Sequence, residues 1–340
     1  MRKISLERSQ KAEKNATEQR SLALQTMKDV VNKIDARLKD RPALQDLRKE
    51  LLNQAKEGLS KVARAADTAG QIDHETIRVH LELGDILLTL DGATKAAQEQ
   101  YDTAHQLAHK FAAADPANAE AQRDLSVSYE RIGNVRLQQG DSKAALAAFQ
   151  DRLKISQKLA AADPANAQTQ RDLSLSYSEI GDVQREQGDS KAALAAYQEL
   201  LKITQKQAAA DPANAQAQRD LSVSYDRIGN VHLQQGDSKA ALAAYQELLK
   251  ITQKLAAADP ANADAQRGLS ISYSNIGNVH LQQGDTTAAL TAYQEKLKIS
   301  QKLSAADPAN AQVQRDLSAS YESIGNVRLQ QGDSKAALAA

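Results

Sequence analysis

Residues 211–258 read DPANAQAQRDLSVSYDRIGNVHLQQGDSKAALAAYQELLKITQKLAAA, and residues 259–306 repeat them at 37 of 48 positions. The opening Asp-Pro-Ala-Asn-Ala recurs at 115, 163, 211, 259 and 307, a strict step of 48. Chance does not produce that register; tandem duplication does, and the period marks stacked units. Each unit reads as two helices. Asp211 offers a side-chain oxygen to the free N–H groups of a helix start, and Pro212 fits the first helical position. Leu221, Tyr225, Ile228 and the Val231/His232 pair follow at helical spacing. Gly236 suits the left-handed stop and Asp237 the next cap; Leu242, Tyr245, Leu249 and Leu255 then mark the second helix. A lone hairpin cannot bury its apolar stripe, so neighbours must stack. The expected fold is all-α, a right-handed α-solenoid of antiparallel helix pairs with an N-terminal helical cap.

Composition agrees. Only 3% of the 340 residues are aromatic, with no Trp and no Cys, which suits helices and excludes a Cys-ligated metal or disulfide scaffold. Lys plus Arg equals Asp plus Glu at 43 each, so no overall field points to nucleic acid. Residues 1–66 carry 16 basic against 9 acidic side chains, a net +7 that reads as a solvated helix face. No run of 18 apolar residues suggests a membrane span, and the basic start lacks the apolar core of a secretory leader. The expectation is a cytoplasmic protein without cofactor or metal.

The motif Tyr225-x2-Ile228-Gly229, then Gly236-Asp237, Ala241-Leu242 and Tyr245, resembles the tetratricopeptide pattern of aromatic-x2-Leu-Gly followed by Ala-x3-aromatic. It recurs at Tyr129/Gly133/Phe149, Tyr177/Gly181/Tyr197 and Tyr273/Gly277/Tyr293, in part at Tyr321/Gly325, and in eroded form at His80, Leu83-Gly84, Ala97 and Tyr101. The resemblance covers roughly residues 75–340. Two departures stand out: a step of 48 instead of 34, and Arg152, Leu200, Leu248 or Lys296 where a small residue usually follows the second aromatic by one turn.

Residues 1–70 do not repeat. Leu24, Met27, Val31, Ile34 and Leu38 mark one amphipathic helix; Leu44, Leu47, Leu51, Ala55, Leu59 and Val62 mark a second, closed by Thr68-Ala69-Gly70. The expected organisation is a helical hairpin over 1–70, a divergent repeat over 71–114, and 48-residue repeats over 115–340, the last one cut short. The stretch beginning Leu38-Lys39-Asp40-Arg41-Pro42 resembles the linker between kinase and repeat regions in large bacterial serine/threonine kinases. Similar repeats also resemble tracts fused to signalling ATPases. Kinase motifs themselves are missing from this sequence, so the resemblance implies a regulatory or docking part.

The histidines give little catalytic signal. His105 and His109 share a helical face, with His74 and His80 upstream, but no ligand set is completed. His232 and His280 exchange with Arg136, Gln184 and Arg328 at equivalent places, which reads as solvent- or partner-facing. The Ser-x-Ser-Tyr motif reads as packing.

Val223, Asp226, Asn230 and Leu233 form a separate stripe on the first helix. Across repeats it holds Asn134, Asp182, Asn230, Asn278 and Asn326, flanked by Leu137, Arg185, Leu233, Leu281 and Leu329. In tetratricopeptide proteins the equivalent positions line a concave groove where an Asn hydrogen-bonds an extended peptide, so the resemblance implies a protein- or peptide-binding scaffold. A side-chain amide suits that task because it both donates and accepts. A carboxylate clamp is not expected, because Glu130, Ser178, Asp226, Ser274 and Glu322 replace its Lys. Arg131 and Arg227 leave some positive charge nearby. Gln331–Ala340 repeats a phrase that elsewhere continues into an aromatic residue, which suggests a truncated final unit and self-association through its edge.

Overall fold

The computed structural model describes residues 22, 26, 29–31, 33, 35–70, 72–91, 94–333 and 337. Leu24, Met27 and Ile34 of the first expected helix, the polar 1–21 stretch, Gly92 and most of 334–340 lie outside them, and with them most of the closing half-helix. Among the described residues there is no strand. Two compact units divide the chain, 1–159 and 160–340.

In the first unit a 3-10 turn at Pro42–Leu44 follows the break at Asp40-Arg41-Pro42 and leads into α1 (Gln45–Ala69). Then come α2 (His74–Asp91), α3 (Thr94–Ala114), α4 (Ala119–Gln138) and α5 (Ser142–Ala162), whose last turn belongs to the second unit. The second unit continues with α6 (Ala167–Glu186), α7 (Ser190–Ala210), α8 (Ala215–Gln234) and α9 (Ser238–Ala258), followed by α10 (Ala263–Gln282), α11 (Thr286–Ala306) and α12 (Ala311–Gln330). Within each unit the helices pack as the stacked pairs of an α-solenoid, with α1 laid on α2.

The cap helix buries Leu52, Leu59, Ala63 and Ala66, while Leu44 and Leu47 stay exposed. Its stripe is therefore rotated from the expected one toward the small residues that let α2 approach. Gly70 closes it in the left-handed region (φ 62°), and the Arg48 Nε donates to Asp35 at 2.9 Å.

Helix starts differ from expectation. Asp211 does not cap α8: its own N–H still bonds the Gln207 carbonyl of α7 at 3.2 Å, and its carboxylate accepts from Ala213 N. The cap is Asn214, whose side chain accepts from the N–H groups of Gln216 and Ala217. Asn118, Asn166, Asn262 and Asn310 cap the equivalent helices. Of two capping residues in one connection, the first serves the turn and the second the helix. Gly236 at φ 79° and Asp237, accepting from Ala240 N, make the expected hairpin turn.

Alanine, not leucine, sets the buried face of the second helix. Ala241, Ala244, Tyr245, Leu248, Thr252 and Ala256 are buried on α9, whereas Leu242, Leu249 and Leu255 are only half-buried. The cause is the close approach of the pair. The ring of Tyr245 lies on the bare backbone of Gly229, where a Cβ would fall far inside van der Waals contact with three ring carbons. Tyr101 on Gly84, Phe149 on Gly133, Tyr197 on Gly181 and Tyr293 on Gly277 repeat this packing.

Between repeats of the second unit, buried hydroxyls pair at 2.9 Å: Thr204 with Ser224, Thr252 with Ser272, Ser300 with Ser320. The second serine of Ser-x-Ser-Tyr is thus a hydrogen-bonded rung as well as a small spacer. Gln205, Gln253 and Gln301 donate to the tyrosine hydroxyls of the same motif.

Gly229→Ala is expected to destabilise the chain by about 1–3 kcal/mol, the usual cost of overpacking. Gly268→Ala, where an added Cβ meets nothing closer than 3.8 Å, gains up to about 1 kcal/mol from helix propensity. Urea titrations of the two variants beside the parent chain check the opposite signs.

Candidate functional site

The first helix of each pair is fixed on one side by the Gly–ring packing and on another by the hydroxyl rungs, which leaves a third side outward. In the second unit that side carries Leu175 on α6, Val223 on α8 and Ile271 on α10, exposed by 42%, 44% and 49%. Each stands between the two serines of its Ser-x-Ser motif, so all three hold the same place 48 residues apart. Sequence reading reached only Val223; the signal for the others was that the residue between the serines is always apolar.

The polar ladder lies along the same helices, and the structure ties it to the core. The Tyr197 hydroxyl donates to Asp182 at 2.6 Å, Tyr245 to Asn230 at 2.7 Å and Tyr293 to Asn278 at 2.6 Å. Tyr101 does the same to Asp85 at 2.7 Å, which makes Asp85 an unforeseen member of the series. Phe149 has no hydroxyl to offer Asn134. The carbonyl oxygens of Asn230 and Asn278 are therefore already engaged, and these amides present mainly their NH2 donors. That of Asn230 reaches Asp226 at 3.0 Å. Burial and the neighbouring Asp182 carboxylate push the Tyr197 hydroxyl well above its ordinary value, so it remains a donor at any physiological pH.

Both flanking arginines are anchored. Arg227 donates to Asp182 at 2.9 Å and lies 5.9 Å from the centre of the Tyr197 ring. Arg131 pairs with Asp85 at 2.9 Å and with Glu130 at 2.7 Å. Burial raises the Asp226 carboxylate above its usual range, opposed by Asn275, Arg227 and Asn230.

Arg185, Arg227, Asn230, Leu233 and Gln234 line one cavity of about 480 Å³. It brings together four of the expected site residues, and the Nε of Arg227 is buried there without a hydrogen-bond partner among the described residues. Leu281 is half-buried on α10; Asn326 and Leu329 are exposed on α12, Leu329 by 56%. Asn134, Leu137 and Arg131 belong to the first unit.

Three histidines of the first unit, His74, His80 and His105, bond neighbouring side chains, while His109 is exposed. His105 bonds the Ser128 hydroxyl at 3.0 Å and meets the Tyr129 ring edge-on; burial holds it below its ordinary value. His80 is buried between Gln100 at 2.9 Å and Asp67 at 3.1 Å. His74 sits 2.8 Å from both carboxylate oxygens of Asp124. Burial pulls His74 down, but the hydrogen bond and charge of Asp124 outweigh it, leaving it above 6.5. No group of three or more His, Cys, Asp or Glu that could hold a metal occurs among the described residues. His232 and His280 are half-buried rather than open to solvent. No described helix is long and apolar enough to cross a membrane.

Residues 178–253 and 227–311 match a family model described as tetratricopeptide repeat, so the stretch 178–311 carries tetratricopeptide repeats. No curated protein matches the chain significantly by sequence. Among solved structures, the apo form of RapI overlays with a TM-score of 0.61 at 10% identity, over 94% of this chain and 73% of RapI. BtubC (BKLC) from P. vanneervenii gives 0.56 at 21% identity, over 73% of this chain and 88% of BtubC. A signal transduction ATPase with numerous domains and a tetratricopeptide repeat sensor, PH0952 from Pyrococcus horikoshii, gives 0.57 at 17% identity, over 92% of this chain and 41% of that protein. At these identities the likeness is one of fold.

The raised His74 contributes stability that is full below 6.5 and lost as the pH rises through its folded value. Melting curves across that window are expected to show a decline for the parent chain and a flatter profile for His74→Gln.

Proposed function

We propose that these tetratricopeptide repeats form a non-enzymatic scaffold that holds a peptide or protein surface along the outward side of its first helices. The observation that carries this reading is the row Leu175, Val223 and Ile271, exposed at equivalent places on α6, α8 and α10, the first two of which also supply Arg185, Arg227, Asn230 and Leu233 to one cavity. Apolar side chains aligned in register beside polar groups make a recognition surface of the kind expected for a partner. The Tyr–Asn and Arg–Asp bonds hold the polar groups in place before any partner arrives, which lowers the ordering cost of binding. Because tyrosine occupies their acceptors, the amides meet a partner as donors, suited to backbone carbonyls or carboxylates.

A second reading makes the chain the regulatory arm of a signalling enzyme. The kinase-linker resemblance near Leu38–Gly70 and the likeness in fold to the sensor-bearing ATPase support it. The two readings share one binding surface; kinase or ATPase motifs encoded in the same reading frame would select the second.

Val223→Asn with Ile271→Asn changes two exposed side chains, so stability moves by no more than about 0.5 kcal/mol each. Affinity capture from the source organism is expected to lose the partners held by the parent chain, with helicity unchanged. Retention of the same partners would remove the first-helix face from the reading.

A further inference from the structure

In the second unit, a guanidinium from one first helix grips a carboxylate on the next. Arg171 Nε bonds Asp220 at 3.1 Å, and Arg267 Nε lies 3.0 Å from Asp316, each pair 49 residues apart. A glutamine one turn earlier completes each seat: Gln216 donates to Asp220 and Gln312 to Asp316, both at 2.8 Å. The seam between them, from α8 to α10, keeps the arginine as Arg219 but has Gly268 where the carboxylate belongs. Asp264 replaces the glutamine, is exposed and forms no ion pair with Arg219. Among the described residues the Arg219 side chain has no partner, and the space above Gly268 is open, Thr252 being the nearest group at 3.8 Å.

We infer that Arg219 and Gly268 form a vacant carboxylate seat that takes an Asp or Glu side chain from the partner. This rests on the first-helix face being the binding face. Val223 follows Arg219 by one turn on α8, and Ile271 follows Gly268 by three residues on α10, so the seat opens directly onto the exposed apolar row. With Arg185 of α6 and Arg227 of α8 lining one cavity farther along these helices, the face matches a peptide in which acidic residues alternate with apolar ones. Charge fixes its register while apolar contact supplies area. The two sibling seams show that a half-buried guanidinium at this place holds a carboxylate in the protein's own geometry. The third seam departs from them at the residues that would fill it.

The test uses the full chain labelled with nitrogen-15 and two N-acetylated, C-amidated peptides, one alternating Asp and Leu, the other Asn and Leu. The Asp peptide is expected to shift the Arg219 Nε–H resonance and to bind at least about fivefold tighter than the Asn peptide. Gly268→Asp, which fills the seat from within, removes that preference and raises the melting temperature. Asp264→Gln restores the sibling donor and tightens the Asp peptide. Equal affinity for the two peptides, or a preference untouched by Gly268→Asp, overturns the seat, as does failure of the Asp peptide to bind. If Asn substitution at Val223 and Ile271 still abolishes partner capture in that case, the binding face stands and only the seat falls.

Discussion

The contact between a bare glycine backbone and an aromatic ring governs this structure. At Gly84, Gly181, Gly229 and Gly277 a tyrosine ring from the second helix occupies the space that any side chain would fill, and at Gly133 a phenylalanine does so. The helix pair can close only to the thickness of that ring. Small residues then take the positions of the second helix beside the ring: Ala193, Ala241 and Ala289 are fully buried while Leu194, Leu242 and Leu290 stay at the margin, and Leu200 and Leu248 are buried one turn beyond. Where the ring is a tyrosine, its hydroxyl bonds the ladder carboxylate or amide of the first helix. One side chain therefore sets the hairpin spacing and orients the polar face.

Polar bonds do the registering between pairs. The hydroxyl rungs of the second unit are buried and recur at 2.9 Å, as Thr–Ser twice and Ser–Ser once, whereas the ion pairs vary. Where the ladder residue is Asp85 or Asp182, the next first helix supplies Arg131 or Arg227; beyond Asn230 and Asn278 the equivalent places hold Asn275 and Ser323. Pairs this exposed contribute about 0–1 kcal/mol each, so cohesion comes chiefly from apolar burial between neighbours. The variable charges bear more on recognition than on holding the stack together.

Much of this was legible in the sequence because duplication repeats the signal. The 48-residue step, the Gly236-Asp237 turn and the all-α stacking follow from spacing alone. Two local choices were not legible. Asp211 and Asn214 are both good caps, and only the length of the preceding helix decides between them. Leu242 and Leu249 are more apolar than Ala241 and Ala244, yet the ring thickness admits the alanines. At the candidate site, spacing put Asn230, Arg227 and Leu233 on one side of a helix, but the engagement of the amide oxygen by Tyr245 depends on a partner fifteen residues away. Departures such as Gly268 gain meaning only when the intact seams show what they lack.

The most direct measurement is methyl cross-saturation from a captured partner to the chain labelled at Ile, Leu and Val methyl groups. If the first helices form the recognition face, saturation appears at Leu175, Val223, Leu233 and Ile271 and is weak at Leu249 and Ile251 of α9. Saturation concentrated on Leu249 and Ile251, with the first-helix methyls silent, would contradict a binding face built on the outward side of the first helices.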